Sequence, residues 1–127
     1  MNQVTPSGKI YAAQSQIIPE QRGVFARSAI KKGGIVEICP IIEISQDDTA
    51  EINEESLVSY MFYHGEKALI ALGFGSLYNH SDNPNALYTI NPKDKTITFT
   101  AVQNISKDEE ILVQYTKTTE KPLWFMR

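Results

Sequence analysis

The chain has 127 residues, enough for one domain around a single core. Its 42% hydrophobic and 21% charged residues match an ordinary soluble globular protein, and no apolar run approaches the roughly 18 residues that span a bilayer. A net charge of −3 argues against a general grip on nucleic acid, and the single cysteine, Cys39, excludes an internal disulfide and a multi-cysteine zinc cluster.

In chain order, Met1-Asn2-Gln3-Val4-Thr5-Pro6 has no basic region followed by an apolar core, so it does not read as a secretory signal. Residues 1–7 are taken as an extension, and an intracellular, cytoplasmic or nuclear, protein is expected. Short β-branched runs separated by turn residues then dominate. Lys9 to Ala13 and Gly23 to Ala26 are predicted strands, and Gly33-Gly34 a tight turn. Ile35 to Ile38 leads into Ile41 to Ile44, with Pro40 marking an edge or a bulge. Lys67 to Leu72 is a further predicted strand. Ala86 to Ile90 and Thr96 to Val102 flank Asn91-Pro92-Lys93-Asp94-Lys95 as a hairpin with a polar turn, and Ile111 to Val113 is the last strand.

Helix is scarce. Asn53 is placed to cap a turn through Val58, with Glu54 and Glu55 at its positive end, and Pro122 to open one turn in the tail. Glu43, Asp47, Asp48, Glu51, Glu54 and Glu55 form an acidic stretch without a base. It reads as a solvated loop or, more sharply, as a lip that attracts a basic peptide. The fold class predicted is mostly β, with small sheets and few short helices.

The densest chemistry lies in Asn79-His80-Ser81-Asp82-Asn83-Pro84-Asn85, a run of turn-formers and hydrogen-bonding side chains. Neither His64 nor His80 sits at a recognised zinc spacing, and Ser81 directly after His80 is badly placed to face it as a nucleophile. No Gly-x-Ser-x-Gly elbow or phosphate-cradling Gly-x-x-x-x-Gly-Lys loop is present, which argues against a hydrolase. Taken singly, Asn79 and Asn85 read as turn closers, His80 as a structural histidine, and Tyr60, Tyr115 and Trp124 as core aromatics.

Their order is more informative. Arg22-Gly23-Val24-Phe25-Ala26, Ala29-Ile30-Lys31-Lys32-Gly33, Gly75 through Asn85, and Ile105-Ser106-Lys107-Asp108-Glu109-Glu110-Ile111 ending in Tyr115 resemble the ordered signature of SET-domain lysine methyltransferases. Asn79-His80-Ser81 and Pro84-Asn85 match the family's central motif. In its late motif Asp108 replaces a glycine and Ile111 a leucine. Gln21 stands where the early motif has a first glycine, and Asp82 where a cysteine is usual. The resemblance covers residues 8–127 and is strongest to minimal, stand-alone viral or microbial members.

That resemblance implies one SET domain over residues 1–127, a β-clip fold in which the C-terminal segment threads beside the Asn79 turn as a pseudoknot. It implies S-adenosylmethionine as cofactor, no metal, and a lysine entering from the opposite face. Arg22, Gly23, Val24, Asn79, His80, Tyr115 and Trp124 would contact the cofactor, with Trp124 and Phe125 closing the site from the tail 117–127. Tyr60, Tyr78 and Val113 would line the substrate channel, and Tyr115 would be the catalytic phenol that orients the amine. A lysine-bearing substrate such as a histone tail is expected, without direct nucleic-acid or membrane partners, and a homodimer would complete the peptide groove. The alternative is a SET-like module that binds a peptide or partner and has lost catalysis. Gln21 and Asp108 are its grounds.

Overall fold

The computed structural model describes residues 1–45, 61–65 and 67–115. They form nine strands: β1 (Ile10–Gln14), β2 (Arg22–Ala26), β3 (Ile35–Ile44), β4 (Phe62–His64), β5 (Lys67–Ala71), β6 (Asn79–His80), β7 (Ala86–Asn91), β8 (Thr96–Ala101) and β9 (Glu110–Val113). No helix occurs among the described residues. The turns expected after Asn53 and Pro122, most of the acidic stretch, Tyr60 and Trp124 lie outside them.

Two sheets carry the strands, in the orders β1-β2-β9-β6 and β4-β5-β3-β8-β7. The second is built on period-2 alternation. In β8, Ile97, Phe99 and Ala101 are buried while Thr98 and Thr100 are half-buried on the other face. The register Ile35↔Thr100 and Leu87↔Thr100 puts the exposed Ile35 and Leu87 on that outer face too.

One expectation needs correcting. The two short runs around Pro40 are a single ten-residue strand, β3, and the irregularity falls between Ile35 and Glu37 instead. Pro40 is tolerated because β3 changes partners there. Residues up to Pro40 pair with β8, and Ile41 to Ile44 pair with β5, so the missing N–H falls where one ladder ends and another starts. The Pro40 carbonyl still accepts a bond, from the Leu72 N–H at 2.9 Å. The Asn91 hairpin forms as expected, with Lys95 taking the left-handed conformation (φ 54°) that closes the turn. The Gly33-Gly34 turn also forms, and Gly33 supplies φ 86°. Strands β4 and β6 are too short to have stood out in the sequence.

The core lies between the sheets. Tyr78 and Phe99, both fully buried, stack with ring centroids 4.2 Å apart, and Phe62 meets Phe99 edge-on at 6.1 Å. Aromatic pairs of this geometry contribute about 0.5–1.5 kcal/mol beyond their burial. Glu37 is also buried and is satisfied from two sides: the Tyr78 hydroxyl donates to it at 2.8 Å and the Phe74 N–H at 3.0 Å. The turn 72–77 is thereby tied to β3, directly ahead of β6. Burial and the charge of Glu37 push the Cys39 thiol far above its ordinary range, so Cys39 is a packed, unreactive side chain.

Candidate active site where β9 passes between β2 and β6

Strand β9 begins as an antiparallel partner of β2 (Val24↔Ile111, Phe25↔Glu110) and continues as a parallel partner of β6 (Asn79↔Leu112, His80↔Val113). The late segment is thus threaded beside the Asn79 turn, as the pseudoknot requires. Asn85 locks it there. Its Oδ1 accepts from the Leu112 N–H at 2.8 Å, its Nδ2 donates to the Glu110 carbonyl at 2.9 Å, and its own N–H donates to the Leu112 carbonyl at 3.1 Å. The Ser81 N–H adds a bond to the Val113 carbonyl at 2.9 Å. The buried amide of Asn85 thus imitates a strand partner for β9.

Glu110 lies at the centre of the junction and is almost wholly buried. Its carboxylate accepts from the Ser15 hydroxyl (2.8 Å), the Gln16 N–H (2.8 Å) and the Asn79 Nδ2 (3.0 Å). Asn79 Nδ2 also reaches the Arg22 carbonyl at 3.2 Å. One carboxylate therefore ties the end of β1 to β6, and Asn79 carries the link on to the start of β2. Gly23 is required by this arrangement: a Cβ there would overlap Glu110 Oε2 and press on Asn79 Nδ2. Beyond β2 and β1 the loop is closed on itself. The Ser15 N–H donates to the Gln21 carbonyl at 2.9 Å, and the Ser15 hydroxyl accepts from the Ile17 and Ile18 N–H groups.

His80 and Tyr115 meet at the far end. The Tyr115 main-chain N–H donates to His80 Nδ1 at 3.0 Å, while His80 Nε2 lies 3.1 Å from Asp82 Oδ1. A donor facing Nδ1 and a carboxylate facing Nε2 select the tautomer with its proton on Nε2. The Tyr115 carbonyl accepts from the Tyr88 hydroxyl at 2.9 Å. Its half-buried ring stands edge-on to Phe62 at 5.8 Å and tilted to His80 at 6.2 Å.

Arg22, Gly23, Val24, Asn79, His80, Val113 and Tyr115 therefore converge on one junction of β2, β6 and β9. Val113 is fully buried beside His80, two residues before Tyr115. Tyr78 is wholly inside the core, its phenol pushed well above the ordinary tyrosine range by burial and by Glu37, to which it donates. Ser15, Phe62 and Tyr88 were not singled out in the sequence, and Glu110 stood there only as a member of the late motif, without a role. A carboxylate directly ahead of the apolar Ile111-Leu112-Val113 was the one available signal, because an acid in a strand that must be buried needs several donors.

The β2–β9 ladder ends at Val24, so Arg22 and Gly23 diverge from β9 while Asn79 and His80 run alongside it. His80 is partly exposed at this edge, and its imidazole is a polar group able to meet the amino-acid end of a nucleoside cofactor. Among the described residues no group of three or more His, Cys, Asp or Glu is placed to hold a metal ion.

Comparison with known proteins agrees with this geometry. The SET domain family model matches residues 21–116. The chain is 28% identical over 107 residues to a Schizosaccharomyces pombe histone-lysine N-methyltransferase specific for lysine 37 of histone H3, covering 82% of this chain and 69% of that one. Among solved structures it is similar to a candidate histone methyltransferase of Plasmodium falciparum, with TM-score 0.76 and 37% identity over 91% of this chain and 99% of that one. It also shares the fold of the methyltransferase domain of human PR domain-containing protein 2, with TM-score 0.67 and 15% identity over 92% of this chain and 82% of that one. A further fold match is a Polycomb Repressive Complex 2 structure bound to S-adenosylmethionine, with TM-score 0.74 and 24% identity over 92% of this chain but 16% of that one. With the motif residues knotted together as described, and with the family model matching most of its length, the chain belongs to the SET domain family.

Proposed function

We propose that this protein is a protein-lysine N-methyltransferase that uses S-adenosylmethionine and acts on a basic segment such as a histone tail. The observation that carries the reading is the direct bond between His80 and the backbone of Tyr115, which brings the central and late motifs into one site. The S. pombe relative supports the histone class.

When bound, S-adenosylmethionine supplies an electrophilic methyl group on a sulfonium. The chain's own residues are assigned the rest. The backbone of Arg22 and Gly23, with Asn79 and His80, holds the cofactor's polar end. Phe62, Tyr88 and the ring of Tyr115 form an apolar wall that excludes water from an incoming amine. A free lysine amine has a pKa of about 10.4, so at neutral pH roughly 4–5 kcal/mol oppose the reactive neutral form. An apolar, desolvated approach lowers that pKa. The Tyr115 hydroxyl orients the amine lone pair for in-line attack.

The grounds for a binding-only module are weak. Gln21 has no positive φ, so its backbone conformation does not call for the glycine it replaces. Asp108 does adopt φ 66°, a conformation aspartate tolerates, and accepts a bond from the Tyr11 hydroxyl at 2.9 Å. The test is labelled-methyl transfer from S-adenosylmethionine to a histone panel, by wild type and Tyr115→Phe. Transfer by wild type with nearly complete loss in Tyr115→Phe is expected, with cofactor binding retained in a thermal-shift assay. No cofactor-dependent thermal shift, together with no transfer, would favour the binding module.

A further inference from the structure

Tyr115 stands two residues beyond the end of β9, outside the ladder that fixes Leu112 and Val113. Its N–H donates to His80 Nδ1 at 3.0 Å and its carbonyl accepts from the Tyr88 hydroxyl at 2.9 Å. The two side chains come from different sheets, His80 from β6 and Tyr88 from β7. Tyr115 thus sits on the seam between the sheets, with one end of its backbone held by each.

Tyr88 is a firm anchor. Strand β7 is paired with β8 along all six of its residues. The Tyr88 ring packs edge-on to Phe62 at 4.8 Å and lies 6.4 Å from Phe99. Phe62 in turn packs on the ring of Tyr115 at 5.8 Å, so ring and backbone of Tyr115 are referred to the same aromatic group.

We propose that Tyr88 is a positioning residue for methyl transfer: its hydroxyl, bound to the Tyr115 carbonyl, sets the direction in which the Tyr115 phenol meets the amine. The proposal rests on the reading of Tyr115 as the orienting phenol. Tyr88 acts through Tyr115 and on the turnover step. Arg22 and Gly23, assigned to the cofactor, lie on β2 and Asn79 on β6, whereas Tyr88 lies on β7 of the other sheet. Displacing a catalytic group by about 1 Å costs on the order of 100-fold in rate, and loss of one of two backbone anchors should cost part of that. An interaction felt in the transition state alone lowers kcat and leaves cofactor binding unchanged.

The experiment compares wild type, Tyr88→Phe and Tyr115→Phe, each as the full chain, in labelled-methyl transfer to histones with kcat and the KM for S-adenosylmethionine measured separately. Tyr88→Phe removes the hydroxyl and keeps the ring against Phe62 and Phe99. The expected result is a fall in kcat of about 10-fold, with the cofactor KM within about two-fold and the melting temperature within a few degrees of wild type. A kcat within about two-fold of wild type, while Tyr115→Phe is inactive, would overturn the role of Tyr88 and leave that of Tyr115 standing. So would a raised cofactor KM with a large loss of melting temperature, which is the mark of a merely structural residue. Full turnover in Tyr115→Phe would remove the reading on which the proposal rests, and Tyr88 would fall with it.

Discussion

His80 Nδ1 accepts the main-chain N–H of Tyr115 at 3.0 Å, across 35 positions of sequence. The bond exists only while Nδ1 carries a lone pair, so the ring must keep its proton on Nε2, where Asp82 Oδ1 lies at 3.1 Å. Asp82 is highly exposed, and the pair is expected to matter through the tautomer it favours and hardly through stability. Asp82→Ala should reduce the fraction of the Nε2–H tautomer at His80, read by nitrogen NMR of the imidazoles. His64, the other histidine, serves as the internal reference. An unchanged His80 signal would show that the Tyr115 N–H selects the tautomer unaided.

The contact between Gly23 and Glu110 leaves no room for a side chain. Gly23→Ala must displace the Glu110 carboxylate or the β2 backbone, and overpacking of this kind costs about 1–3 kcal/mol. Glu110→Gln keeps the volume but turns an amide donor toward the donors of Ser15, Gln16 or Asn79, for a loss of about 2–3 kcal/mol. Denaturant midpoints measure both. Because both changes act on one junction, the double variant should lose less than the sum of the single losses.

Asp108 occupies a left-handed turn, φ 66°, at the position where the late SET motif has glycine. Asp108→Gly should leave stability within about 1 kcal/mol of wild type, since conformational relief offsets the lost bond to Tyr11. Asp108→Ala keeps the strain and loses the bond, and should cost about 1–2 kcal/mol. Thermal melts of the two variants decide. Equal losses would place the whole effect in the Tyr11 bond.

Cys39 and Tyr78 are held neutral by burial, each with a pKa raised above its ordinary value, and burial raises Tyr63 to about 12. The unfolded chain releases these protons near 9.0 for the thiol and 10.0 for the phenols, whereas the folded chain keeps them. Between those values and the raised ones the native state binds more protons, so stability falls as pH rises. Their contribution is complete below about pH 8.5. The melting temperature should decline steadily from there upward, and the phenolate absorbance of Tyr63 and Tyr78 should appear only as the protein unfolds. A phenolate signal from all six tyrosines near pH 10 without loss of structure would contradict this.

Much of the fold is legible in local pattern. The alternation in β8, the β-branched runs of β2, β5 and β7 and the polar hairpin turn after Asn91 predict strands to within one residue at most ends. The side chains of β7 and β8 alternate between the core and an outer face, so their periodicity carries the information. Strands β2 and β5 are buried on both faces and show instead as continuous runs. Pro40 shows where this stops. A proline signals an edge, but its place inside β3 depends on β8 and β5 exchanging as partners at that residue, and neither lies nearby in the chain.

The same division runs through the site. By itself the sequence determined the family, through Asn79-His80-Ser81, Pro84-Asn85 and the interval from Glu110 to Tyr115, because motif order and spacing are local properties of a chain. It left open what each of those side chains does. Only the tertiary structure decided that Asn85 serves as a strand partner, that Tyr78 spends its hydroxyl on Glu37, and that Glu110 closes on Ser15 from 95 residues away. Only there does Tyr115 acquire an anchor from each sheet. The reason is physical: a buried polar group must find its partner wherever the fold has put one, and sequence distance places no limit on where that is.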